Sequence, residues 1–382
     1  MSRSIITTEE ALAHSIGKSQ MKVFLHLLVV CFITTYSISA LAQRPLVHFF
    51  NPSDSSDLFW AHVTDVMQTA SDDLGIDLQV SYAARSRLGM TKQFIEVAES
   101  ARKPDAVLFP VLKQNGVSML ELAEKYRIPA FIFNAGITSE PLEPRTKYKF
   151  WIGQMLPDEA LAGYDLAMCL FDTAEDKGLY NENRQLTAIG LDGTLADFAG
   201  SFRNQGLNKA IAERRNVVLK QTAPANWDLN QAKDKTVWMV SRYPNTNVLW
   251  AANDEMAIGA VQGLESIKRK PGIDIVIGGI DWSAQGLAAL KEDKLSCNLG
   301  GHFMEGGWAL TLVYDYLSGI DFATERVSFL SRMSVLHSNN MALYLPLLSN
   351  NDWSLVNFRS LSKKLNPKRS KYNFKLESSL SP

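Results

Sequence analysis

Short apolar runs rich in Val, Ile, Leu and Phe alternate with longer stretches whose apolar residues recur every three or four positions, from residue 46 almost to residue 290. A run of four to eight apolar residues suits a buried strand, whereas the longer spacing puts apolar side chains on one face of a helix. The pattern predicts strands at Leu46–Phe50, Ile76–Tyr82, Ala106–Phe109 and Ala130–Phe133, with helices at Leu58–Leu74, Gly89–Ala101 and Gly116–Tyr126 between them. After a loop holding Pro141 and Pro144 the alternation restarts. It predicts helix Pro157–Ala174, strand Leu186–Gly190, helix Gly200–Arg214, strand Val217–Gln221, helix Leu229–Val240, strand Val248–Ala251, helix Glu255–Ile267, strand Ile273–Ile280 and helix Ala284–Leu290. Strands that are apolar throughout and joined by helices lie in parallel sheets covered on both faces. Two such arrays in succession predict an α/β protein of two lobes, and 382 residues is long enough for two cores.

The ends depart from this pattern. Met21-Lys22 precedes an apolar run from Val23 to Tyr36, followed by Ala40-Leu41-Ala42: a charged start, an apolar core and a small-residue cleavage site. The run is shorter than the roughly 20 residues that cross a bilayer as a helix, so 1–42 is read as an export signal cleaved after Ala42. Residues 1–20 are either an over-extended start or an unusually long leader region. Beyond about residue 345 the alternation stops, and Arg359, Lys363, Lys364, Lys368, Arg369, Lys371 and Lys375 crowd a segment read as a solvated, disordered basic tail, 359–382.

Composition narrows the chemistry. With 46% hydrophobic and 21% charged residues the chain is neither disordered nor a coiled coil, and Lys+Arg 39 against Asp+Glu 40 leaves no cationic field for a nucleic acid. Three cysteines exclude a disulfide scaffold. Cys169 and Cys297 outlast signal cleavage, and both a disulfide and two separate buried thiols are open to them. The six histidines are scattered, without metal-ligand spacing. No Gly-x-Ser-x-Gly elbow, His-Glu-x-x-His pair, phosphate-binding loop or Gly-x-Gly-x-x-Gly turn is present, so nothing supports an enzyme or a nucleotide cofactor.

In open α/β sheets ligands sit beyond the carboxyl ends of the strands. The residues there are Asn51 with Asp57, Asn134, Asp192 with Thr194, Trp227 with Asp228, Asn253 with Asp254, and Asp281 with Trp282. Each polar one taken singly is expected to cap a helix. Together with Trp60, Trp227 and Trp282 they supply what carbohydrate recognition needs, flat aromatic faces for C–H surfaces and short polar groups for hydroxyls.

At this point the sequence resembles a family. Trp250-Ala-Ala-Asn-Asp-Glu-Met-Ala-Ile-Gly-Ala-Val-Gln-Gly-Leu264 is similar to the signature strand and helix of the type I periplasmic sugar-binding proteins, the ribose- and galactose-binding group. Ile275-Val-Ile-Gly-Gly-Ile-Asp281 and Asp57-Leu-Phe59-Trp60, the latter similar to the family's Asn-Pro-Phe-Phe, extend the resemblance over roughly residues 45–345. It implies two Rossmann-like lobes joined by three crossings, near Trp151, Gly301 and His337. The N-terminal lobe would hold 43–151 plus 302–336, and the C-terminal lobe 152–301 plus 337–358. The lobes would close on a ligand by hinge motion.

Residue by residue, the resemblance puts ligand positions at Asp57, Phe59 and Trp60. Asn134 stands where the family has Asp, with Ala135 in place of the customary Arg. A further family Arg falls near Ser201, with Arg203 as a candidate substitute. Trp227, Asn253 and Asp281 take an aromatic, an amide and a carboxylate position, and the late glutamine falls at Gly301 or His302. His302 is either a ligand donor or a hinge residue bonded to backbone. Arg85 and Arg87 follow the second strand, at the cleft mouth or in solvent. The resemblance implies a monomeric periplasmic solute-binding protein without cofactor or metal, which captures a sugar or similar polyhydroxylated molecule and delivers it to the permease of an ABC importer. A ligand sensor that docks on a membrane sensor kinase or chemoreceptor is the alternative. A repressor on the same core would carry a helix-turn-helix where this chain has its export signal.

Overall fold

The computed structural model describes residues 44–376, apart from 196, 338–339 and 349–351; the segment 1–42 read as an export signal and the end of the basic tail lie outside the described residues. The first half reads β1 (Leu46–Asn51), α1 (Leu58–Leu74), β2 (Asp77–Tyr82), α2 (Arg87–Ala98), β3 (Ala106–Phe109), α3 (Gly116–Tyr126), β4 (Ala130–Phe133) and β5 (Trp151–Pro157). It continues with α4 (Glu159–Asp176), β6 (Leu186–Asp192), α5 (Phe198–Glu213), β7 (Val217–Pro224), α6 (Leu229–Arg242), β8 (Val248–Ala251), α7 (Asp254–Ser266), β9 (Val276–Ile280), α8 (Ala284–Lys291) and β10 (Cys297–Gly300). Then come α9 (Glu305–Leu317), β11 (Ser328–Ser331), β12 (Ser334–Leu336), α10 (Leu345–Leu348) and α11 (Phe358–Leu361). No helix among the described residues is long and apolar enough to cross a membrane.

Two six-stranded sheets result, in the orders β11-β5-β4-β3-β1-β2 and β12-β10-β9-β8-β6-β7. The first is parallel throughout, and in the second only β12 runs antiparallel to its neighbour. The central strands β1, β3, β4 and β8 are buried at every position, as sheets with helices on both faces require.

The chain passes from sheet to sheet three times: after Pro157, at Gly301, and between Ser331 and Ser334. The first boundary lies beyond the expected 151/152, because Trp151–Pro157 hydrogen-bonds beside β4 and so completes the first sheet. The last lies before the expected 336/337, because Ser334–Leu336 already pairs with β10 of the second.

Two features fix the second lobe. Cys169 of α4 and Cys297 of β10 form a disulfide, resolving the open pairing. Helices α4 and α5 touch through glycines: a Cβ on Gly163 would fall 2.0 Å from the carbonyl oxygen of Arg203, and one on Gly206 would fall 2.0 Å from that of Ala160. Only a residue without a side chain permits this approach, and it brings the start of α4 against the second turn of α5.

The basic tail is a correction to the sequence reading. Phe358 and Leu361 are buried, Tyr372 and Phe374 stack, and Phe374 lies against Trp308 of α9. Tyr372 Oη and Ser362 Oγ donate to the buried Asp315, while Lys363 pairs with Glu325. The cations alternate with apolar residues that cover α9, so the segment up to Leu376 is part of the folded structure.

Candidate functional site

The glycine contact between α4 and α5 sets the centre of the site. Arg203, 3% exposed, projects from α5 and donates through Nε to Glu159 Oε2 at 2.5 Å and through Nη2 to Glu159 Oε1 at 3.1 Å. Nη1 donates to the carbonyl of Ala252, past the end of β8, at 2.6 Å, and Nη2 reaches His302 Nε2 at 3.3 Å. Arginine has no acceptor, so His302 Nε2 is the accepting nitrogen and the proton sits on Nδ1. Asp281 completes the cluster, its Oδ1 3.8 Å from Arg203 Nη1 and 3.6 Å from His302 Nε2. These separations bring opposite charges together but exceed hydrogen-bond length.

Burial tunes both partners. It pushes the Asp281 carboxyl well above the usual carboxylate range against the pull of Arg203, with Asp254, Glu159 and Asp57 adding repulsion. Burial also holds His302 well below its ordinary value, helped by the Arg203 charge, so the ring is neutral at pH 7.

Aromatic rings flank this cluster. Phe59, in the first turn of α1, stacks on His302 with centroids 4.5 Å apart and 24° between planes, and Trp60 meets Phe59 edge-on. From the other lobe Trp227 lies across Gly193, where a Cβ would sit 2.0 Å from the indole Cζ2. Its Nε1 donates to Asp197 Oδ2 at 2.8 Å and its ring lies 5.9 Å from the Arg203 guanidinium. A cavity of about 450 Å³ opens beside Trp227, between Asp57 and Arg85 of the first lobe and Asp228, Glu255 and Ser283 of the second.

The strand ends carry unusual backbone. Asn134, Trp227 and Asp281 have φ of 65°, 60° and 140°, which side-chain-bearing residues rarely adopt and which clusters at functional sites.

Phe59, Arg203, Trp227, Asp281 and His302 are thus brought together, and the remaining predicted positions fare differently. Asp57 caps α1 by accepting from Trp60 N, and its other oxygen accepts from Ser53 Oγ and from Arg85 Nη2 at 2.6 Å. Arg85 therefore sits at the mouth and Arg87 is exposed. Asn253 caps α7 through Oδ1, leaving Nδ2 for another partner. Asn134 is buried, with Nδ2 turned to Glu305 at 3.5 Å.

Two expectations are corrected. Ser201 is exposed on α5, about 200° around the helix from Arg203, and so does not reach the cluster. Trp282 offers no ring face: it is fully buried against Tyr344, and its Nε1 donates to the carbonyl of Asn298.

Sequence reasoning missed Glu159, Glu305 and Asp197. All three stand at or beside helix starts, where acids are commonplace, and only the packing of distant helices buries Glu159 and Glu305. Among the described residues no group of three or more His, Cys, Asp or Glu side chains gathers as a metal ion would require.

A family model, the periplasmic binding protein domain, matches residues 47–321. The crystal structure of a periplasmic sugar-binding protein from Pseudomonas fluorescens superposes with a TM-score of 0.78 at 32% identity, covering 88% of this chain and 99% of that one. The ribose import binding protein of Salmonella typhimurium is 22% identical over 273 residues, which is 71% of this chain and 83% of that protein. The xylitol-binding protein of Mycolicibacterium smegmatis is 26% identical over 223 residues, and the match spans 58% of each protein.

Proposed function

The chain belongs to the periplasmic binding protein domain family, and from that premise we propose that it captures a sugar or similar polyhydroxylated molecule between its lobes in the periplasm and delivers it to the membrane permease of an ABC importer. As a member of a family of substrate-binding proteins it is not an enzyme. The observation that carries the proposal is the meeting of Arg203, Asp281 and His302 beside the rings of Phe59 and Trp227. A hydroxyl lodged over the 3.8 Å gap accepts an N–H from Arg203 and donates to Asp281, satisfying both at once. The ring of Trp227 takes the C–H face of the same molecule. Asn253 Nδ2 and Asn134 Oδ1, neither of them bonded within the described structure, add a donor and an acceptor. Ala135 gives no second cation beside Asn134, so the ligand is read as neutral. Because Phe59 and Asn134 belong to one lobe and Trp227, Asn253 and Asp281 to the other, a ligand touching both favours the closed arrangement of the hinge.

The test is a thermal-shift screen of the chain from Gln43 to Pro382 against monosaccharides, disaccharides, polyols and nucleosides. A ligand at about 100 times its Kd adds roughly 2.7 kcal/mol, a visible shift. Calorimetry on the hit should then find Trp227→Ala and Asn253→Ala each at least tenfold weaker, about 1.4 kcal/mol. Unchanged affinity in both variants overturns the cleft assignment. A shift confined to compounds without hydroxyls overturns the ligand class.

A further inference from the structure

Glu305 is fully buried in the first turn of α9 and, among the described residues, has no cationic partner. Its carboxyl group accepts from two side chains instead. Ser331 Oγ donates to Oε1, and Asn134 Nδ2 donates to Oε2 at 3.5 Å. The three residues come from three separate places: Asn134 from the end of β4, Ser331 from the end of β11, and Glu305 from just after the short helical turn at His302–Met304. Those places touch every passage between the sheets. Glu305 follows the crossing at Gly301, and Ser331 is the last residue before the crossing to β12. The carbonyl of Ser331 accepts from the backbone N–H of Asp158 at 2.9 Å, in the first crossing.

An asparagine amide has two different ends. With Nδ2 turned inward to Glu305, Oδ1 is the end left for a ligand, and it makes no hydrogen bond within the described structure. Asn134 therefore acts as an acceptor, as a carboxylate would, in spite of being an amide. Its backbone sits at φ 65°, a conformation that side-chain-bearing residues rarely adopt and that clusters at functional sites.

We propose that Glu305 is the positioning residue of the cleft: its carboxyl group turns Asn134 so that Oδ1 faces the ligand, and joins that contact to the three interlobe crossings. The proposal rests on the reading of the cleft as the ligand site. Occupancy of Asn134 Oδ1 then bears directly on the segments that must bend when the lobes open, which is what a hinge-closing binder requires. Burial, with the charge of Glu159 at the start of α4 nearby, holds the Glu305 carboxyl well above the usual range.

The experiment has two arms. In the first, D-ribose, D-galactose and xylitol are titrated by calorimetry into the wild type, Glu305→Ala, Asn134→Ala and the double variant. If Glu305 acts through Asn134, each single variant weakens the bound probe at least tenfold and the double variant is within threefold of the worse single one. Glu305→Gln keeps an acceptor for Asn134 and can donate to Ser331 Oγ, so it binds at least threefold more tightly than Glu305→Ala. Additive losses, or wild-type affinity in Glu305→Ala, overturn the proposal. If none of the three probes binds the wild type, these three ligands are excluded while the screen above decides the sugar reading, and the second arm decides this proposal without a ligand. In that arm the Asn134 side-chain amide resonance is followed with pH. The groups facing Glu305 are Asn134, Ser331 and the charged Glu159, so a Glu159→Gln control separates their titrations. The resonance moves with pH in the wild type and in the control, and is flat in Glu305→Gln. An amide signal indifferent to substitution at 305 overturns the proposal.

Discussion

Removing Glu159 should strand a buried charge, and the size of the loss can be worked from the geometry. Arg203 and Glu159 are 3% and 2% exposed, and the carboxylate takes two of the five guanidinium N–H groups in a fork at 2.5 and 3.1 Å. In Glu159→Ala the guanidinium keeps the carbonyl of Ala252 and the ring of His302, while Asp281 at 3.8 Å is too far to replace the lost bonds. Breaking a buried pair by deleting one member typically costs about 3–5 kcal/mol, because the survivor is neither solvated nor matched. An unfolding entropy of about 2 cal/mol/K per residue gives roughly 0.7 kcal/mol per degree for a chain of this length, so Tm should fall by about 4–7 °C. Urea unfolding followed by circular dichroism and a calorimetric scan measure both quantities. The decisive control is the double variant Glu159→Leu, Arg203→Met. With both charges gone and similar volume kept, it should recover most of the stability lost in Glu159→Ala, yet bind no sugar, since Arg203 is part of the proposed contact. A loss below 1 kcal/mol in Glu159→Ala, or a double variant no more stable than the single one, would refute the view that the pair's role is mutual neutralisation.

Other consequences follow from single contacts. Gly193→Ala places a methyl group 2.0 Å from the Trp227 indole, so the ring must leave its bond to Asp197; calorimetry should find the affinity loss of Trp227→Ala, with far-ultraviolet circular dichroism unchanged. The Cys169–Cys297 disulfide closes a loop of 128 residues, worth about 4–5 kcal/mol on the chain-entropy account. Urea midpoints should therefore fall on reduction in the wild type and be insensitive to reductant in a Cys169→Ser, Cys297→Ser variant. Burial lowers His48 to about 4, so the unfolded chain takes up this proton first, and the contribution to stability is whole above about pH 6.5 and lost as pH falls toward 4. Relative to His48→Gln, which keeps a partner for Ser81 Oγ, the wild type should lose about 3 kcal/mol between pH 7 and pH 4, measured as the difference between two urea series.

The alternation of apolar runs was enough to place most strands and helices up to α8, because each depends on spacing within a dozen residues. What lay outside that reach depends on partners far along the chain. β5 reads as a continuation of a loop until β4 and β11 are set on either side of it. β12 is three residues long and exists only by pairing with β10. In the tail, Arg359 to Lys375 was read by its charges, whereas Phe358, Leu361, Tyr372 and Phe374, spaced between the cations, decide its fate by covering α9. The site shows the same division. Trp227 and Asp281 were visible as strand-end residues and Phe59 through the family resemblance, and Arg203 rather than Ser201 follows only once the start of α5 fixes which face is inward. Glu159 lies 44 residues from Arg203 and Glu305 lies 171 from Asn134, so neither pairing leaves a local trace.

The site groups are held in positions that an isolated chain would avoid. Trp227 and Asp281 sit at positive φ, a class of strain that costs about 1–3 kcal/mol per residue, and Asp281 and His302 are buried where ionising either is unfavourable. These groups lie at the ends of β7, β9 and β10, and the same lobe carries the disulfide from α4 to β10 and the glycine-mediated packing of α4 on α5. The juxtaposition has a physical logic. A rigid lobe can hold strained groups at fixed separations, and a ligand that meets them need not spend its binding energy on ordering them. On the proposed function, Asp281, 3.8 Å from Arg203 with neither hydrogen-bonded to the other, is then the point where such a lobe would leave interaction unmade until a hydroxyl arrives. The first lobe contributes differently: Asn134 depends for its orientation on Glu305 and thereby on the crossings themselves. On the proposed function, one wall of the cleft is set in advance and the other is linked to the hinge, so closure would bring the Asn134 acceptor to a fixed cluster.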